Sequence, residues 1–279
     1  MTYKTILVHL DQSAHTANRI KYAAALAALS SGHLVGAAMT GLSRYVFADG
    51  LTSSNDPTLT HHVEFLRKYA TEATQSFEKI ANQEGANSIE SRLIDDDAVG
   101  GMVLQARYSD LLVIGQTDPH STVPGVFPNF PEQVVLNSAR PVLIIPYVNT
   151  FKNLFTRPLI AWDGSTAATR AITAALPLLI HAKKVDLVVF NASDEKLVHG
   201  DEPGADITLY LSRHGVKVQV VSHTVKTDIG QALLSAAADL GNDLIVMGGY
   251  GHSRFRETLL GGVTKTVFAS MTVPVLIAH

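Results

Sequence analysis

Ser109-Asp110-Leu111-Leu112-Val113-Ile114-Gly115 returns, 133 positions later, as Asn242-Asp243-Leu244-Ile245-Val246-Met247-Gly248. Each copy is a short aliphatic run that follows an aspartate and stops at a glycine, the pattern of a strand buried on both faces. The same offset carries Pro141-Val142-Leu143-Ile144 onto Pro274-Val275-Leu276-Ile277 without a gap. Two strands therefore recur with equal spacing, which marks an internal repeat. At the front of each half, Ile6-Leu7-Val8-His9-Leu10-Asp11-Gln12-Ser13 corresponds to Leu159-Ile160-Ala161-Trp162-Asp163-Gly164-Ser165. In both, an apolar strand ends in Asp, any residue, Ser.

Between these anchors the same order of elements is legible twice. In the second half, Leu159 to Trp162 reads as a strand, and Ser165 caps a helix over Ala167 to Ile180 that Pro177 should kink or shorten. A strand at Val185 to Phe190 follows, then a helix over Ala205 to His214 ending at Gly215. Next come a strand at Val216 to Val221, a helix from Asp228 to Leu240 stopped by Gly241, and a strand at Asp243 to Met247. A glycine-rich loop, a helix from Gly262 to Met271 and a strand at Val273 to Ala278 complete the half. The first half repeats this order, with a longer loop from Arg44 to His61 and a longer amphipathic helix from Val63 to Gln83. Short apolar strands alternating with helices indicate an α/β fold, two tandem doubly wound parallel five-stranded sheets flanked by helices. The expected domains are residues 1–147 and 155–279, with Tyr147 to Arg157 making the connection.

Composition narrows the function. The chain has 279 residues, is 46% hydrophobic and carries a net charge of -3. That length suits two domains of ordinary size. That charge offers no field to hold DNA or RNA, so no nucleic-acid partner is expected. The absence of cysteine removes disulfides, thiolate metal sites and cysteine nucleophiles. No apolar run approaches the length of a membrane span, and Met1 to Leu10 lacks the flanks of a signal peptide. The expectation is a cytoplasmic protein with no membrane partner.

Ligands of such sheets bind outside the carboxyl ends of the strands, where strand order reverses. In the second half that place leads into Gly248-Gly249-Tyr250-Gly251-His252-Ser253-Arg254-Phe255-Arg256-Glu257-Thr258-Leu259-Leu260-Gly261-Gly262-Val263-Thr264. Gly248 and Gly251 would allow positive φ and a close approach to a ligand. Gly261-Gly262 opens a helix whose free amides and dipole favour a phosphate. The run is not a Walker loop, because no glycine precedes Lys and then Ser or Thr. Nor is it the dinucleotide fingerprint, because Arg254 stands where the last glycine is required.

The spacing Gly248-x2-Gly251-x9-Gly261, followed by a helix and the strand Val273-Pro274-Val275-Leu276-Ile277, resembles the ATP-binding motif of universal stress proteins. Asp163 at the end of the first strand fits the same pattern. The resemblance in element order extends over nearly the whole chain, twice, and implies a flavodoxin- or Rossmann-like fold of the universal stress protein type. It implies ATP as ligand, alone or with magnesium, in the second half. By analogy with ATP-binding members, Ala161 and Asp163 border the adenosine, with Phe190 beside it. Gly248, Gly251 and His252 line the ribose and phosphates, and the amides of Gly261, Gly262 and Val263 take the phosphate tail. Gly262 departs from the family pattern, which has Ser or Thr there. A neutral hydrogen bond nets about 1 kcal/mol, so the missing hydroxyl weakens binding by about tenfold at most. Thr264 is a candidate substitute. The resemblance also implies that the two halves pack as a pseudo-dimer through their last strands, Val142 to Ile145 and Val273 to Ile277, and that two chains can form a homodimer.

In the first half the motif is broken. At the same offset Gly251 becomes Asp118, Gly261 becomes Pro128 and Gly262 becomes Asn129. Proline offers no amide hydrogen, and a carboxylate about 4 Å from a phosphate is repelled by roughly 4 kcal/mol at an effective dielectric of about 20. The first half is expected to bind no ATP in the usual pose.

Other features have plainer readings. Asp11 and Asp163 can cap helices, the better reading for Asp11. Trp162, which alternation puts opposite Asp163, reads as core. His61-His62 and the isolated His252 lack spaced partner ligands, and Asp95-Asp96-Asp97 sits between a strand and a helix where carboxylates complement the dipole, so no metal site is expected. Three functions fit: a nucleotide-binding stress or signalling protein, a slow ATPase or nucleotidyl-transfer enzyme, or a ligand-free tandem interaction module. No positioned general base with a supporting partner is evident, His252 being the nearest candidate, so the first is preferred and no catalytic residue is assigned.

Overall fold

Each half threads its strands through the sheet in the same non-sequential order, and that order creates the site. The structure is a computed structural model that describes residues 2–43, 57–121, 123, 126–148, 150–151, 154–192, 202–226, 228–250 and 262–279. In chain order its elements are β1 (Thr5–Leu10), α1 (Thr16–Ser30), β2 (His33–Met39), α2 (Pro57–Gln83), β3 (Ile89–Ile94), α3 (Ala98–Ala106), β4 (Leu111–Gly115), α4 (Phe130–Asn137) and β5 (Val142–Ile145). The second half contributes β6 (Pro158–Ala161), α5 (Thr166–Leu179), β7 (Val185–Phe190), α6 (Ala205–Arg213), β8 (Val218–His223), α7 (Ile229–Asp239), β9 (Leu244–Gly248), α8 (Gly262–Ser270) and β10 (Val275–Ala278).

Contacts gather the chain into two compact units. One comprises Thr2–Arg140 with Thr150–Lys152, the other Pro141–Asn149 with Asn153–His279. The first unit has strand order β3-β2-β1-β4, all parallel. The second has order β5-β10-β9-β6-β7-β8, parallel except for β5. Strand β5 runs antiparallel to β10, with Leu143 opposite Leu276, which is why it groups with the second unit. Order reverses between β1 and β4 in one unit and between β6 and β9 in the other. Both reversals are the crevices where α/β sheets take ligands.

The strands are aliphatic because helices cover both faces: Ile6, Leu7, Val8, Leu111, Leu112 and Val113 have no exposed surface, nor do Leu244, Ile245 and Val246. The repeated aspartate that precedes β4 and β9 has a structural role. Asp110 accepts the amides of Lys4 (2.6 Å) and Thr5 (2.9 Å) at the start of β1. Asp243 accepts those of Thr156 (2.6 Å) and Arg157 (2.9 Å) at the start of β6. Each carboxylate thus ties together the two strands that flank the crevice, at their opposite ends. Behind it, the fully buried Asp186 is held by Arg157 at 2.9 Å, Lys184 at 3.1 Å and Asn242 at 3.0 Å.

Element boundaries depart from expectation in places. The long helix of the first half starts at Pro57, six residues before Val63, because a proline is tolerated in a first turn whose amides need no intrahelical partner; of the loop expected at Arg44 to His61, residues 44–56 lie outside the described ones. Pro177 does not break α5, since it falls in the last turn and the helix runs on to Leu179. Strand β8 begins at Val218, two residues later than expected, after Gly215 at φ 78°. Among the described residues no helix is long and apolar enough to cross a membrane.

Candidate functional site

At the β6/β9 crevice, β6 delivers Ala161, Trp162 and Asp163, all half-buried, to the mouth. The chain then turns through Gly164 at φ 72° into α5. Asp163 accepts the Ser165 amide at 3.0 Å, and Ser165 in turn caps α5 by accepting the Ala168 amide at 3.0 Å. Asp163 is therefore an Asx-turn residue that sets up the helix cap, and its carboxylate stands at the strand end where the first predicted site residue was expected.

From the other side, β9 ends at Gly248 against the first turn of α5. A methyl group at Gly248 would lie 2.8 Å from the carbonyl carbon of Ala167 and closer still to the Ala168 nitrogen. The expected positive φ is absent at Gly248 and occurs instead at Tyr250, φ 59°, a conformation uncommon for a residue with a side chain. Gly248 is required by close packing of backbone on backbone, not by its torsion. Gly249 fixes the exit: its amide donates to Ala278 at 2.8 Å, and its carbonyl lies 3.2 Å from His279 Nδ1. The main chain thus leaves β9 in a determined direction. The predicted site residues Gly251, His252 and Gly261 lie outside the described residues.

Helix α8 begins at Gly262, which is exposed and, among the described residues, has nothing within 4 Å of the position its Cβ would take. Val263 follows, half-buried. The first amides of a helix have no intrahelical acceptor and carry the positive end of its dipole. Thr264, the candidate substitute for the missing hydroxyl at Gly262, is buried, 3% exposed, because the helix turns it inward.

Further along the sheet, β7 ends in Phe190, half-buried, whose ring stacks on that of His223 from β8 (centroids 5.8 Å apart, planes at 24°). Nothing in the sequence marks His223, because the pairing exists only through strand register. Trp162, read as core, is half-buried: the mouth of the crevice lies just past the end of β6.

The corresponding crevice of the first unit has different contents. Asp11 does not cap α1. It accepts the Ser13 amide at 3.0 Å and the Thr16 hydroxyl, and pairs with Arg19 at 3.0 Å. Arg19 is itself buried, donating to the His9 carbonyl at 2.7 Å and the Thr16 hydroxyl at 3.1 Å. Its Nη1 would be 2.5 Å from a methyl at Gly115, so the guanidinium occupies the space beside the end of β4. Burial opposes ionisation of Asp11, but the Arg19 guanidinium, the His9 ring and the hydrogen bonds outweigh it and hold the carboxyl well below the usual range. Burial lowers His9 to about 4, with Arg19 adding to the effect and Asp11 opposing it. The His9 ring packs on Phe130 at 4.7 Å. Beside it is a narrow crevice bordered by Asp11, Met39, Tyr69 and Val126.

Asp118, expected to repel a phosphate, is engaged: it lies 3.0 Å from His15 Nε2 and accepts the His120 amide at 2.8 Å. These hydrogen bonds engage the carboxylate locally, which weakens the repulsion argued from sequence. The Thr117 hydroxyl donates to the Pro128 carbonyl at 2.6 Å. Asp97 caps α3 through the Gly100 amide at 2.8 Å, Asp96 accepts the Asp97 amide at 3.0 Å, and Asp95 pairs with Arg67 at 2.7 Å, so all three consecutive aspartates are occupied structurally.

Residues 155–279 match the family model described as the universal stress protein family. Residues 155–279 therefore form a domain of the universal stress protein family. Universal stress protein Slr1230 of Synechocystis sp. is 26% identical over 154 residues, which cover 52% of this chain and 49% of that protein. The chain thus spans about half the length of that curated relative. Among solved structures, a universal stress protein from Archaeoglobus fulgidus DSM 4304 superposes with a TM-score of 0.66 at 16% identity, covering 98% of this chain and 95% of its own. A protein of unknown function from Pseudomonas aeruginosa PAO1 gives 0.62 at 14% identity, covering 99% and 92%. These likenesses establish the universal stress protein fold over the whole length, beyond residues 155–279 that the family model matches.

Proposed function

We propose that this chain acts as a universal stress protein that binds an adenine nucleotide, ATP in the first instance, in its second half, and that it works in stress response or signalling through occupancy of that site. The observation that carries the reading is Gly248, whose backbone is packed against the first turn of α5 at the strand-order reversal. From there the chain enters the glycine-spaced run that ends at the uncrowded first turn of α8. Asp163 and Phe190 stand at the strand ends where adenosine is expected, and the first amides of α8 suit a phosphate. Gly251, His252 and Gly261 are assigned to the site on motif spacing.

The domains proposed are residues 1–147 and 155–279, the first a degenerate copy without ATP. Arg19 beside Gly115 and the missing amide of Pro128 support that division. The antiparallel β5–β10 ladder supports pairing of the halves through their last strands.

Mass spectrometry of nucleotide released from the purified protein, followed by calorimetry, tests the reading. Millimolar or tighter ATP binding that is lost in Gly251→Asp and kept in Asp118→Ala is the expected result. ATP binding indifferent to Gly251→Asp would refute it.

A further inference from the structure

Three parallel strands of the second unit bring their ends to one level. Phe190 is the register partner of His223, and Ala161 that of Val188. Asp163, two residues past Ala161, therefore comes level with Phe190, two residues past Val188. Partners in a parallel ladder project to the same side of the sheet, and for Phe190 and His223 the stacked rings show it. Asn191 locks the end of this row: it is left-handed at φ 51°, its amide donates to the His223 carbonyl at 2.9 Å, and its side-chain oxygen accepts the Val225 amide at 2.8 Å.

The equivalent row of the first unit is Asp11, Met39 and Ile94, by the same ladder count. It contains no ring, and Met39 is turned against α3, its Cγ 2.8 Å from where a methyl at Gly101 would sit. The stacked step thus occurs in the repeat that keeps the glycine spacing and is replaced by aliphatic filler in the repeat that has lost it.

We propose that His223 is a positioning residue for the base of the nucleotide: its ring backs Phe190 and fixes the plane on which the base stacks. The inference rests on the nucleotide reading of the second half. The ligand class it specifies is a nucleoside phosphate with a broad π-face, purine ahead of pyrimidine, because aromatic stacking follows ring area more than hydrogen-bond pattern.

The test titrates wild type, His223→Ala and His223→Tyr with ATP, CTP and inorganic triphosphate, by calorimetry and by fluorescence of Trp162, the single tryptophan. His223 is exposed, so the variants should melt within about 2 °C of wild type. His223→Ala should weaken ATP about tenfold, a stacking-sized effect, weaken CTP less, and leave triphosphate within about twofold; His223→Tyr should restore ATP. Unchanged ATP affinity in His223→Ala, or equal losses for ATP and triphosphate, overturns the role of His223 while leaving the site in place. A wild type with no affinity for ATP or triphosphate overturns the nucleotide reading and this inference together.

Discussion

The guanidinium of Arg19 lies 3.0 Å from the carboxylate of Asp11, and both side chains are at least nine-tenths buried. Each compensates the other in a place where an isolated charge is costly. Removing Arg19 alone strands Asp11, so Arg19→Leu should destabilise the protein by about 3 kcal/mol. Adding Asp11→Asn should recover part of that loss. Urea unfolding of the two single variants and the double variant checks this. Additive losses would show that the pair is not coupled.

The same cluster gives the stability a pH slope. His9 titrates at about 4 in the folded protein against 6.5 when unfolded. Between those values the unfolded chain binds more protons, so stability rises with pH and falls as acid is added. The His9 shift alone removes about 3 kcal/mol between pH 7 and pH 4. Asp11, whose folded carboxyl is held low by Arg19 despite burial, contributes stability above its ordinary range that is lost at still lower pH. Unfolding midpoints from pH 7 to 4 should therefore decline, and His9→Leu should flatten that decline by roughly half or more. An unchanged slope in His9→Leu would assign it to other groups.

How much of this was legible in the sequence follows from which interactions are local. The β4 and β9 runs and the cap at Ser165 could be read because a few neighbouring residues determine each one. Asp163 and Gly248 could be placed at the crevice because strand ends follow from element order. The role of Asp11 could not, since its partner comes from the second turn of α1. One sign was available: Arg19 lies in the stripe with Ala23, Leu26 and Ser30, where helical spacing calls for apolar residues. His223 left no comparable trace, for only the β7–β8 register brings it onto Phe190. The positive φ expected at Gly248 and found at Tyr250 shows the same limit. A glycine can be required by a neighbouring backbone as well as by its own torsion.

The repeated aspartate clamp predicts matched losses in the two halves. Asp243→Ala removes acceptors for the Thr156 and Arg157 amides and the Thr156 hydroxyl, and Asp110→Ala removes them for the Lys4 and Thr5 amides. At about 1 kcal/mol for each bond, more where an ionised acceptor is involved, losses of roughly 3 and 2 kcal/mol are expected. Chemical denaturation measures both, and a loss below about 0.5 kcal/mol at either site would contradict the clamp.

Gly248 and Gly262 should respond oppositely to a side chain, and the difference tests the site more sharply than loss of function does. At Gly248 a methyl meets the backbone of Ala167 and Ala168, so Gly248→Ala must push β9 and α5 apart. It should cost about 1–3 kcal/mol, as overpacking does, and reduce nucleotide binding with it. At Gly262 a side chain meets nothing within 4 Å among the described residues. Serine there should leave stability unchanged or raise it slightly, because glycine is a poor helix residue. If the α8 terminus receives phosphate, the added hydroxyl supplies one more donor, worth about 1 kcal/mol, and Gly262→Ser should tighten ATP by up to about tenfold. Calorimetry on that variant can show a gain, which misfolding cannot imitate. ATP affinity unmoved by Gly262→Ser in a stable protein would place the phosphates elsewhere.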